Sequence, residues 1–87
     1  KDAKNGLTFN VFPNPASDAI NIQLNEQDAS TINIELFDAT GKLIQSISKA
    51  NYGNSITTIP TADLAKGVYI VKVISNGFAG TQKVILN

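Results

Sequence analysis

Alternation with a period of two is the feature that most limits how this chain can fold. Ile20, Ile22 and Leu24 are separated by Asn21 and Gln23, and Ile32, Ile34 and Leu36 by Asn33 and Glu35. Successive side chains of an extended strand point to opposite faces, so each stretch builds one apolar and one polar face; a helical period of 3.6 would scramble both. Two half-buried strands are therefore expected, in a register that a one-residue slip would invert. Further strands are predicted at residues 8–12, 43–48, 55–59, 68–75 and 80–86. In the segment from residue 68, Lys72 shares a face with Val68 and Ile70, which assigns Tyr69, Val71 and Val73 to the core, with the Tyr69 hydroxyl reaching a partner at the sandwich edge. In the last segment Val84 and Leu86 are expected to point inward, Lys83 and Ile85 outward.

The punctuation between these segments is equally readable. Pro13-Asn14-Pro15 stops the first strand, because two prolines in three residues remove two backbone donors. Asp38-Ala39-Thr40-Gly41-Lys42 reads as a hairpin turn in which Asp38 caps the backbone and Gly41 takes a positive φ. Asn51-Tyr52-Gly53-Asn54 is a loop and Asn76-Gly77 a tight turn. Residues 61–66 are predicted to make one helical turn, with Thr61 as its N-cap and Gly67 ending it at a positive φ. Short strands at this spacing, with no helix-period segment, predict an all-β protein: an immunoglobulin-like antiparallel β-sandwich of about seven strands, with a small closed barrel as the alternative. The 87 residues suffice for one domain. Polar residues 1–6, Lys1-Asp2-Ala3-Lys4-Asn5-Gly6, read as a linker from something upstream, and residues 7–87 as the domain. No run approaches the roughly 18 apolar residues of a spanning helix, so membrane insertion is not expected.

Composition removes most chemistry. Cysteine and histidine are absent, and with them thiolate nucleophiles, imidazole bases and the preferred ligands of zinc, copper and iron; methionine and tryptophan are absent too. No catalytic, cofactor-binding or metal-binding residue is assigned. The carboxylates Asp18, Glu26, Asp28, Glu35, Asp38 and Asp63 are scattered over turns and polar faces, as solvated surface is. Asn25-Glu26-Gln27-Asp28 offers oxygens to calcium but lacks the glycine-turned spacing of a calcium loop, and an ordinary charged turn is the better account. Phe12, Tyr52 and Phe78 are the candidates for an aromatic saccharide platform, and core or loop-anchoring roles are expected for them instead. Seven lysines balance seven carboxylates without arginine, a composition that does not draw a chain to nucleic acid.

The ordered landmarks Phe12-Pro13-Asn14-Pro15 with Ala16-Ser17-Asp18 and an Ile-x-Ile strand after it, Leu36-Phe37-Asp38-Ala39-Thr40-Gly41-Lys42-Leu43, Leu64-x-x-Gly67-Val68-Tyr69-Ile70-Val71-Lys72-Val73 and Lys83-Val84-Ile85 resemble one family over residues 7–87. That family is the type A C-terminal sorting domain of the type IX (Por) secretion system of Bacteroidetes. The resemblance implies a non-catalytic address at the end of an exported precursor, read by the outer-membrane translocon. It also implies removal by a cell-surface sortase that joins the upstream cargo to lipopolysaccharide, with the scissile bond in or near residues 1–6. Export through the periplasm and outer membrane, to the cell surface or the medium, follows from the same likeness. Residue by residue it marks Pro13, Asn14 and Pro15; Asp38, Gly41 and Lys42; Leu64, Gly67, Tyr69 and Val71; and Lys83, Val84 and Ile85. Many members end on lysine or arginine, whereas this chain ends Ile85-Leu86-Asn87. The last strand is expected to present Lys83, Ile85 and the terminal carboxylate to the translocon, in the manner of peptide recognition along an exposed edge. The competing reading is an adhesion or carbohydrate-binding β-sandwich module of a surface protein.

Overall fold

A computed structural model describes residues 9–24, 30–51, 56–75 and 77–87. Seven strands follow one another: β1 (Phe9–Phe12), β2 (Ala19–Leu24), β3 (Ser30–Asp38), β4 (Leu43–Asn51), β5 (Ile56–Pro60), β6 (Gly67–Ser75) and β7 (Phe78–Leu86). They form two antiparallel sheets, in the orders β1-β2-β5 and β4-β3-β6-β7. The molecule is thus a sandwich and not a closed barrel, because among the described residues β4 pairs only with β3 and β5 only with β2. The fourth strand lies in the larger sheet, beside the third.

The core is built by the alternation. Ile20, Ile22 and Leu24 of β2 face Ile32, Ile34 and Leu36 of β3 across the interior, with Ile59, Val71, Val73 and Val84 filling between them. Tyr69 joins the core, and Val84 and Leu86 point inward while Lys83 and Ile85 are exposed. Burying each such aliphatic side chain contributes roughly 1.5–3 kcal/mol, so the two-residue period is the main source of cohesion.

Three details differ from the sequence expectation. Residues 61–66 form a turn and no helix. The Leu64 N–H does donate to the Thr61 carbonyl at 3.0 Å, but the Thr61 hydroxyl donates across the molecule to the Ser17 carbonyl at 3.2 Å and caps nothing. Phe12 lies 39% exposed on the outer face of the smaller sheet, because β1 ends there and Val11 takes the place against the core. Strands β4 and β7 are longer than predicted, β4 running to Asn51 opposite Ser30 and β7 starting at Phe78 opposite Ser75. Residues 1–6, the oxygens of Asn25, Glu26, Gln27 and Asp28, Tyr52 with its loop, Asn76 and the side chain of Phe78 lie outside the described residues.

Strand direction sorts the connections into two poles. β1, β3, β5 and β7 run one way and β2, β4 and β6 the other. The turns at residues 13–18, 39–42 and 61–66 therefore gather at one pole together with Asn87, while β1 begins, at Phe9, toward the opposite pole.

Candidate functional site: one pole of the sandwich

All four landmark segments end up at that one pole, in two linked groups. The first joins the loop after β1 to the end of β7. The Asn14 side-chain amide bridges two backbone groups of β7: its Nδ2 donates to the Lys83 carbonyl at 3.3 Å and its Oδ1 accepts from the Ile85 N–H at 3.1 Å. Ala16 continues the pairing as a single parallel bridge with Leu86. Its N–H donates to the Ile85 carbonyl at 2.8 Å and its carbonyl accepts from the Asn87 N–H at 2.7 Å. Further up the strand Gln82 donates its amide to the Phe9 carbonyl. Asn14 works here as a surrogate strand residue: a primary amide carries the same donor and acceptor pair as a peptide unit, and the prolines on either side supply no N–H of their own.

This arrangement corrects one expectation. The outer edge of β7 is not an open row of backbone groups from Lys83 onward, because Asn14 and Ala16 already occupy the Lys83 carbonyl, both Ile85 groups and the Asn87 N–H. What the strand end offers outward is the side chains of Lys83 and Ile85.

The second group joins the β3–β4 turn to the start of β6. Asp38 Oδ1 accepts from the Thr40 N–H at 2.9 Å, the Thr40 hydroxyl at 2.6 Å and the Lys42 N–H at 3.0 Å. The Asp38 backbone closes the turn through Gly41 N–H to Asp38 carbonyl and Asp38 N–H to Lys42 carbonyl, both 3.0 Å. Its carboxyl is held below the ordinary value, first by the Thr40 hydroxyl and the Lys42 N–H, then by the Thr40 N–H and the Lys42 ammonium, against an opposing effect of burial. Gly41 has φ +91° and Gly67 φ +142°, and at neither would a Cβ meet anything within 4 Å. Conformation alone reserves these two positions for glycine. Asp38 is the cross-strand partner of Tyr69, whose hydroxyl donates to the Ala65 carbonyl at 2.7 Å and ties β6 to the preceding turn. An open cleft of about 260 Å³ lies between the turns, lined by Asp38, Thr40, Lys66, Gly67 and Tyr69. That is smaller than the usual small-molecule pocket, and the surface is concave but not enclosing.

The thirteen residues that the sequence marks divide by exposure. Tyr69, Val71 and Val84 are buried and Leu64 packs on the core, so they shape the pole from inside. Pro13, Asn14, Pro15, Gly41, Lys42, Lys83 and Ile85 are exposed, and Asp38 and Gly67 lie between. Sequence reasoning gave no site role to Ala16, Ser17 or Ala65 and only a local N-cap to Thr61, and their contributions here come through backbone groups or a buried hydroxyl. Among the described residues no group of three or more acidic, histidine or cysteine side chains is placed to hold a metal ion.

Fold and pole together define a small antiparallel β-sandwich that displays turns at one end. A sequence model of the secretion system C-terminal sorting domain matches residues 10–87, and the chain belongs to that family. A dimeric latent PorU from Porphyromonas gingivalis, known as a crystal structure, contains a similarly folded part at 18% identity and a TM-score of 0.72. The match covers 92% of this chain and 9% of that one. No curated protein matches the chain.

Proposed function

We propose that this domain is a non-catalytic secretion address that carries an upstream cargo through the outer-membrane type IX translocon and is then cut off by a surface sortase in or near residues 1–6. The cargo is thereby delivered to the cell surface, joined to lipopolysaccharide, or to the medium. The family match over residues 10–87 carries this reading. The geometry supports it in a second way: the cargo side and the landmark side are opposite poles, so a folded cargo ahead of Phe9 leaves the turns at residues 13–18, 39–42 and 61–66 accessible to a receptor.

The test fuses residues 1–87 behind a signal peptide and a folded reporter in a bacterium with type IX secretion. The intact fusion is expected at the surface or in the medium, with the domain removed and a new terminus in or near residues 1–6 by mass spectrometry. A fusion lacking residues 83–87 is expected to stay in the periplasm uncleaved. Retention of the intact fusion in a competent host, or equal export of the truncated one, would overturn the reading and leave an adhesion module in its place.

A further inference from the structure

The outward faces of the two sheets differ in kind. On the smaller sheet Asn10, Asn21, Gln23 and Thr58 face out together with two separated apolar side chains, Phe12 beside Asn21 in one row and Ile56 beside Gln23 in the next, and Asn21 is tied to the Phe12 carbonyl at 3.2 Å and the Thr58 hydroxyl at 2.7 Å. On the larger sheet the cross-strand row nearest the landmark pole reads Leu43, Phe37, Ile70, Lys83, and beyond it Val68 stands opposite Ile85. Leu43, Val68 and Ile85 are 48%, 39% and 38% exposed, three of the five large apolar side chains that are exposed among the described residues. One row further from the pole the same face turns polar: Ser46, Glu35, Lys72, Thr81. The apolar patch is therefore confined to one end of one face, and such contiguous exposed patches mark interaction sites where scattered apolar residues do not.

Three lysines border it, with Asp63 of the 61–66 turn at the same pole. Lys83 closes the first row, Lys42 precedes Leu43 and Lys66 precedes the strand that carries Val68. Of the neighbouring carboxylates, Asp38 is engaged by its own turn and Glu35 stands opposite Lys72 in the next row. Three lysines are fewer than the basic cluster that holds a protein on an anionic bilayer.

Resting on the sorting reading above, we infer that the patch of Leu43, Phe37, Ile70, Val68 and Ile85, rimmed by Lys42, Lys66 and Lys83, is the face by which the domain docks onto its receptor. The occupant is a protein surface that is apolar at its centre and bordered by carboxylates. The aliphatic centre supplies the desolvated contact and the lysines set its orientation. Neither function needs the closed edge of β7.

The experiment uses the reporter fusion with Val68→Thr/Ile85→Thr together, with Lys83→Glu and with Lys83→Arg; the control is Ile56→Thr, an exposed apolar side chain of the smaller sheet. Melts of each chain show that the fold is kept. Losing two central contacts should reduce export about tenfold or more, as truncation of interface anchors does. Lys83→Glu should also reduce it, and by more than Lys83→Arg, which keeps the charge, whereas Ile56→Thr should export like the unaltered chain. Full export of both the double variant and Lys83→Glu, with the unaltered fusion exported, overturns the docking face and leaves the sorting reading standing. An unaltered fusion that is not exported removes the sorting reading and this inference with it. Sedimentation that shows a dimer of the unaltered domain and a monomer of the double variant would make the occupant a second copy. Flotation of the unaltered domain, but not of Lys83→Glu, with phosphatidylserine vesicles would make it a lipid surface, and either result overturns the proposed occupant.

Discussion

Replacing Asn14 by alanine isolates the device that fastens the last strand. The change deletes one bond to the Lys83 carbonyl at 3.3 Å and one from the Ile85 N–H at 3.1 Å, and touches no buried side chain. An intramolecular hydrogen bond contributes a net 0.5–1.5 kcal/mol, and these two are long and near water, so about 1–2 kcal/mol is expected in total. In a domain of this size that lowers the melting midpoint by very roughly 4–16 °C. Asn14→Asp keeps the acceptor for Ile85 but puts a carboxylate oxygen against the Lys83 carbonyl, so it should not restore the loss. Urea melts at constant m-value measure the stability, and native-state hydrogen exchange locates it. The Ile85 amide should lose protection most, and the Asn87 amide, held by the Ala16 carbonyl at 2.7 Å, should lose less. An unchanged midpoint together with unchanged Ile85 protection would refute the idea that an amide side chain stands in for a strand.

Gly41→Val and Gly67→Val should each cost roughly 1–3 kcal/mol from backbone strain alone. Asparagine should recover part of this at Gly41 and none at Gly67, whose φ of +142° lies outside the left-handed well; equal denaturation midpoints for the two asparagine variants would contradict that. Because the folded carboxyl of Asp38 is held low, the stability it adds is complete above the unfolded value of about 4 and is lost as pH falls through the folded value. Asp38→Asn should therefore flatten the acid limb of a plot of melting midpoint against pH. Val84→Ala, which opens the core, should cost about 1.5–3 kcal/mol, while Lys83→Ala on the opposite face of the same strand should change stability by less than about 1 kcal/mol in the same urea melts.

What was legible in the sequence is what local chemistry decides. The inward faces of β2 and β3 could be read residue by residue because one face of each is buried, though β3 runs two residues further at each end, and Gly41 and Gly67 because a turn of that shape excludes other residues. The Asp38 turn was readable too, since all its partners lie within four residues. The misread features depend on distant partners. Asn14 is 69 residues from Lys83 in the chain, and no spacing rule shows that its amide will close an edge. The Thr61 hydroxyl is drawn to Ser17, 44 residues away, where a local N-cap was the only partner that sequence could suggest. Phe12 was expected in a core or loop-anchoring role, and of these the core role fails because the end of β1 turns it to solvent on the side opposite Val11. The candidate pole was legible as four separate segments but not as one place, because only the antiparallel register makes them neighbours.

The first and last strands meet running in the same direction, as the parallel bridge between Ala16 and Leu86 shows, and this sets how the domain bears tension. A pull on the chain ahead of Phe9 against an anchor at Asn87 slides the two strands past each other. The bonds from Gln82 to Phe9, from Asn14 to Lys83 and Ile85, and from Ala16 to Ile85 and Asn87 are then loaded in shear at the same moment. A pull between Gly67 and Asn87 instead opens the β6–β7 hairpin from its free end, one pair after another. Forced unfolding follows the barrier along the direction of pull and not the overall free energy. Stretched between its two poles, the domain should therefore hold to markedly higher force than when the same strand is peeled away, so that a tethered load ahead of Phe9 meets a mechanical clamp.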